Sequence, residues 1–116
     1  MRFLTIYKTT EKGVPPTTEQ MAAMGQLIEE MTNAGTLIST EGCLPSAKGA
    51  RVRLSNGKLT VTDGPFTESK ELIAGFALIE ATSKEEAIAL TTRFLEVAGD
   101  GESEIRLMHD MPAFPR

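Results

Sequence analysis

Only two segments of this 116-residue chain have the spacing of helices, yet two of its predicted strands carry apolar side chains on both faces. Side chains alternate between the faces of a strand, and strands that are apolar on both faces are typical of sheets covered on both sides. Two helices cover only one face, and the other would leave a large exposed apolar patch. We therefore predict that a second copy of the chain covers it, giving a homodimer.

The order of the segments predicts an α+β domain. Strands are predicted over residues 2–8, 36–41, 50–55, 59–62, 72–81 and 103–109. The strand over 72–81 alternates one apolar set with another: Leu72, Ala74, Phe76 and Leu78 against Ile73, Gly75, Ala77 and Ile79. Right-handed crossovers would place both helices on the same face of the sheet. Which of Phe76 and Ile79 faces the partner is left open by the pattern.

Two capping boxes predict where the helices begin. Thr17 and Gln20 precede a run of apolar residues at helical spacing, which Gly35 is placed to end. The run is interpreted as core packing and consists of Met21, Met24, Leu27, Ile28 and Met31. Ser83 and Glu86 form the second capping box. Residues predicted to face inward after it are Ala87, Ile88, Thr91, Phe94 and Leu95, followed by Ile105 and Leu107 of the last strand.

An inserted β-hairpin is predicted around Asn56-Gly57, between the strands over 50–55 and 59–62. A type I′ turn needs positive φ at both central residues, which Asn-Gly tolerates best. The hairpin lies between the two strand–helix units.

Composition narrows the function classes. The formal net charge is −4 and the twelve basic residues are scattered, which argues against nucleic acid as a partner. No stretch approaches the roughly 20 apolar residues of a membrane helix, and the first residues lack the long apolar run of a signal peptide. Cys43 is the only cysteine, and it has no neighbours at metal-ligand spacing. We expect one cytoplasmic domain over residues 1–116 with no metal and no cofactor.

The loop over residues 63–71 carries the candidate site. Asp63 is the candidate catalytic residue, as a general base, with a turn-forming role as the alternative. The candidate substrate-binding residues are Tyr7, Phe66, Lys70 and Glu71. Tyr7 and Phe66 would form an apolar wall, although a core tyrosine and a loop plug are the alternatives. Lys70 would be a polar handle, and a solvated charge network is the alternative for it and Glu71.

The segment Val61-Thr62-Asp63-Gly64-Pro65-Phe66-Thr67-Glu68-Ser69-Lys70-Glu71 resembles the signature of the DGPF, or YCII-related, family, and Gly75 fits the glycine of the following strand. The resemblance extends over essentially the whole chain. It implies a ferredoxin-like βαβ…αβ sandwich with an inserted hairpin, which dimerises through the sheet face into an α/β barrel.

The resemblance leaves three functions open. The first is a dimeric small-molecule-binding domain with a cleft beside the Asp63–Glu71 loop. The second is a lyase- or hydrolase-type enzyme that uses Asp63 as general base. Enzymatic relatives in the wider family use a His–Asp pair with the histidine on the first helix, whereas the only histidine here is His109. The third is an accessory interaction protein of an extracytoplasmic-function sigma factor.

Overall fold

A computed structural model describes residues 1–66 and 71–110 of the chain. The main elements run in the order β1 (Arg2–Thr9), α1 (Thr18–Asn33), β2 (Leu37–Gly42), β3 (Ala50–Ser55), β4 (Lys58–Asp63), β5 (Leu72–Glu80), α2 (Lys84–Ala98) and β6 (Glu102–Leu107). A short 3-10 turn, Ser46–Lys48, precedes β3. This order confirms the predicted α+β class. No helix in these two ranges is long and apolar enough to cross a membrane.

Four strands form one antiparallel sheet in the order β2-β5-β1-β6. The two central strands are β1 and β5, the strands whose sequences are apolar on both faces. Phe3 pairs with Ile79 and Leu4 with Leu78, so alternate pairs point to opposite faces of the sheet. The strand order, with one helix in each of the β1-α1-β2 and β5-α2-β6 units, is consistent with a ferredoxin-like fold.

Both helices lie on the same face of the sheet, as predicted. Phe3, Ile79, Ala81 and Ala87 form the buried core cluster, at 4% exposure or less. A narrow cavity of about 30 Å³ remains among apolar side chains of both helices and the sheet. Because Ile79 belongs to this core, Phe76, three residues earlier on the strand, lies on the open face of the sheet, where it is 38% exposed.

Four predictions about burial and capping are corrected. Ile88 is 47% exposed and Met21 is 62% exposed, because each lies at the edge of its helix's apolar stripe. Leu107 pairs with the buried Phe3 of the neighbouring strand, but it is 63% exposed because it is the last residue of the edge strand β6. The second capping box is half formed, since Ser83 caps the amide of Glu86 while the carboxylate of Glu86 binds the amide and hydroxyl of Thr82. The first box is complete and confirmed.

The predicted hairpin is confirmed as a separate two-stranded sheet of β3 and β4. Asn56 and Gly57 have φ values of 50° and 79°, as a type I′ turn requires. Every residue of both strands is exposed. The hairpin therefore projects from the sandwich as an arm.

Candidate functional site

The start of the candidate loop is held against the Ser46–Lys48 turn. The amide of Gly64 donates to the carbonyl oxygen of Gly49 at 2.9 Å. A Cβ atom on Gly64 would lie 1.7 Å from the carbonyl oxygen of Ser46, so the backbones approach too closely for any side chain. The peptide bond from Gly64 to Pro65 is cis. This close approach fixes the backbone at the end of β4 and at the start of the loop that contains Phe66.

Ser46 joins three segments of the chain at this point. Its hydroxyl accepts a hydrogen bond from the amide of Phe66 at 3.1 Å, and its own amide donates to a carboxylate oxygen of Glu11 at 2.8 Å. The side-chain and backbone hydrogen bonds of Ser46 lower the pKa of Glu11 below its ordinary 4.5. Sequence reasoning missed both Ser46 and Glu11, because the three segments are far apart in the chain.

The ring of Phe66 makes a cation–π contact with Arg51. The guanidinium carbon of Arg51 is 3.9 Å from the centroid of the Phe66 ring, which is half-buried. This distance is well inside the range of a cation–π interaction. One face of the ring is therefore covered by the hairpin, so any ligand wall that Phe66 forms uses its edge or its other face. Arg51 was not among the predicted site residues.

Asp63 ends β4 with its side chain exposed. It pairs with Ala50, two residues from the Val52–Val61 pair, so its side chain shares a face of the hairpin with Val61. No hydrogen bond joins its carboxylate to a residue in 1–66 or 71–110, where the amides of Gly64 and Phe66 have other acceptors. The carboxylate oxygens of Asp63 are therefore available to accept hydrogen bonds from a ligand or from water.

Tyr7 lies in a different environment. Its ring packs edge-to-face on Phe94 of α2, with centroids 5.3 Å apart. Its hydroxyl lies 3.2 Å and 3.0 Å from the carbonyl oxygens of Gly99 and Asp100, to which it can donate its single proton. These contacts attach β1 to the end of α2, and the structure does not bring Tyr7 together with Phe66 or Asp63. Its substrate-binding role stays a prediction.

Glu71 is exposed just before β5 and acts on the charges of the open sheet face. Lys8 bonds Glu104 at 2.9 Å, and this bond is the main cause of the raised pKa of Lys8, with smaller contributions from Glu102 and Glu71. The same bond, with a second from Arg106, lowers the pKa of Glu104. Glu71 is therefore near enough to Lys8 to add to the negative charge around it. Lys70 lies outside the described residues, so its role as a handle stays a prediction.

Two concavities lie elsewhere in the described part of the chain. The cavity in the core, at about 30 Å³, is far below the 300–1,000 Å³ typical of ligand sites. An open groove of about 320 Å³ lies between α1 and α2, where Arg93 and Glu30 form an ion pair at 2.8 Å. No group of three acidic, histidine or cysteine side chains in the described ranges is arranged to hold a metal ion. The start of the candidate loop thus carries an exposed carboxylate, Asp63, followed three residues later by the half-buried ring of Phe66.

One comparison with known proteins gives a family, and another gives a relative. Residues 1–110 match the YCII-related domain. The chain is also 35% identical, over 68 residues, to an uncharacterised protein of Rhizobium meliloti (strain 1021). That match covers 59% of this chain and 55% of the relative, so it spans about half the length of that protein.

Proposed function

The chain belongs to the YCII-related domain family, and from this premise we propose that it works as a homodimeric small-molecule-binding domain. In this proposal the ligand binds beside the loop over residues 63–71. The observation that carries the proposal is the exposed carboxylate of Asp63, which no described residue engages, next to Gly64 and Phe66, whose amides donate hydrogen bonds to Gly49 and Ser46. A positioned but unengaged acceptor is what a ligand site needs.

The chemistry of the loop favours a small acidic or aromatic metabolite. An ionised carboxylate is an acceptor only, so Asp63 would receive an N–H or O–H group of the ligand. Phe66 would contact an aromatic or apolar part. Arg51 covers one face of its ring and lies on the opposite face of the hairpin from Asp63, so it positions the ring. Lys70 would supply the positive charge for an acidic part.

The open face of the sheet supports the dimer. Its centre is apolar and consists of Leu4, Ile6, Phe76 and Leu78, the side chains on the face opposite the helices. Charged side chains, among them Glu41 beside Phe76 and Glu104 beside Ile6, lie at its two edges. An apolar centre with a polar rim is the usual anatomy of a protein–protein interface.

The same carboxylate supports an enzyme as the second candidate. A general base must reach the proton that it removes, and the carboxylate of Asp63 has no competing donor among the described residues. In this case Asp63 would abstract a proton in a lyase or hydrolase reaction. Conversion of a bound metabolite, followed by NMR, separates this function from binding alone.

The test is a screen of small acidic and aromatic metabolites by ligand-observed NMR, with the Asp63→Asn variant beside the natural chain. Asn keeps the shape and removes the charge, so we expect affinity to fall roughly 10- to 100-fold, with unfolding unchanged. Equal affinity of the two proteins would remove Asp63 from the site. If no metabolite binds but a sigma factor is captured in a pull-down, the accessory-protein function replaces this proposal.

A further inference from the structure

The hairpin arm, β3 and β4, is amphipathic. The register pairs Val52 with Val61 and Leu54 with Leu59, so these four side chains share one face. They are 66%, 63%, 70% and 63% exposed, respectively. The opposite face is polar and carries Arg51, Arg53, Ser55, Lys58, Thr60 and Thr62. A continuous exposed apolar face of this kind is typical of a surface that is buried against a partner.

The rest of the described chain does not supply this cover. All residues of β3 and β4 are exposed, and the attachments of the arm are at its base, through Gly49, Gly64 and the Arg51–Phe66 contact. An isolated two-stranded hairpin is only marginally stable in water. Hairpins are usually stabilised by packing against another element.

Charge favours a second copy of this chain as the partner. Residues 51–62 hold three basic side chains, Arg51, Arg53 and Lys58, and no acidic one, a charge of +3. Because the whole chain carries −4, the remainder carries −7. A basic arm and an acidic body attract each other between two copies. The basic side chains lie on the polar face of the arm, so this attraction steers the approach of the arm and leaves the docked contact to the apolar face.

The position of Asp63 connects the arm to the site. Asp63 lies on the apolar face of the arm at its base, in line with Val61 and Leu59. Any partner that covers Val61 and Leu59 therefore comes close to the Asp63 carboxylate. We propose that the apolar face of the arm docks on a second copy of the chain, beside the sheet-face interface, and that this copy closes the ligand site over Asp63. Each site is then shared between two copies.

This inference rests on the proposed binding function, but the docking can be tested without a ligand. In a sample mixed from isotope-labelled and unlabelled protein, the methyl groups of Val52 and Val61 should give intermolecular NOEs. The variant Val52→Thr/Leu54→Thr/Leu59→Thr/Val61→Thr keeps residues that favour strands and removes the apolar face. Its dimer dissociation constant, by sedimentation, should rise roughly 100-fold or more.

Two controls make the result readable. Thr60→Ser/Thr62→Ser changes the polar face of the same strand and should leave the dimer unchanged. Circular dichroism shows whether the fourfold threonine variant folds. If this variant does not fold, the intermolecular NOEs of the natural chain still test the docking. A dimer without these NOEs, a monomer that binds another protein through the arm, or a folded Thr variant with unchanged dimerisation would overturn the inference.

Ligand titration separates the inference from the proposed function. A shared site predicts that the folded Thr variant loses ligand affinity together with dimerisation. Ligand binding at Asp63 by a monomer would overturn the shared site and leave the binding function standing. Intermolecular NOEs without binding of any metabolite would support the docked arm and count against the binding function.

Discussion

The guanidinium of Arg51 lies over the ring of Phe66, with the guanidinium carbon 3.9 Å from the ring centroid. This contact connects the hairpin arm to the candidate loop. This contact is not visible in the sequence, where Arg51 is one of three basic residues in the hairpin.

Replacement of Arg51 by Ala should destabilise the protein by about 0.5–1 kcal/mol, the size of an exposed cation–π interaction. Urea unfolding measures this change. Arg53→Ala is the matched control, because Arg53 lies on the same face of the hairpin, and it should change the free energy of unfolding by less than about 0.5 kcal/mol. Equal effects of the two variants would show that the Phe66 contact contributes nothing.

Replacement of Gly64 by Ala should destabilise the protein by about 1–3 kcal/mol, the usual cost of forcing an extra methyl group into a filled space. The added Cβ would lie 1.7 Å from the carbonyl oxygen of Ser46, and backbone cannot move as a flexible side chain can. Gly25→Ala is the control, because a Cβ there meets nothing within 4 Å and Ala favours a helix. Thermal unfolding should show a lower midpoint for the first variant and a slightly higher one for the second.

Replacement of Phe76 by Glu should raise the dimer dissociation constant by roughly 100-fold, since the charge would enter the apolar centre of the open sheet face. Ile88→Glu places the same charge on an exposed apolar residue of α2, on the helical side of the sheet, and should leave the dimer intact. Sedimentation equilibrium of both variants compares the two faces. If the Phe76 variant still dimerises like the natural chain, the open face is not the interface.

Lowering the pH should break the hydrogen bond between the Ser46 amide and the carboxylate of Glu11. The pKa of Glu11 is lowered in the folded protein, so its bond stabilises the loop fully above the ordinary value of 4.5. That stabilisation is lost as the pH falls through the lower, folded value. The NMR shift of the Ser46 amide should therefore be constant at neutral pH and change below 4.5. In Glu11→Gln this titration should be absent, and its persistence would assign it to another carboxyl group.

Local physics determined much of this fold from the sequence alone. Period-2 alternation identified the strands, and Thr17 with Gln20 fixed the start of α1, because capping depends on residues three apart. Asn56-Gly57 placed the hairpin turn, because few residues tolerate positive φ. The two-faced character of β1 and β5 predicted an apolar sheet face, and the Asp-Gly-Pro-Phe segment made Asp63 and Phe66 candidate site residues.

Tertiary structure decided what meets at the loop. Ser46 contacts Glu11 and Phe66 across separations of 35 and 20 residues, and no pattern in the sequence encodes such a meeting. The packing of α2 on the sheet left Ile88 exposed although its spacing was helical and apolar. The physical reason is that spacing specifies which residues share a face, whereas the packing of distant segments decides whether that face is covered and by what.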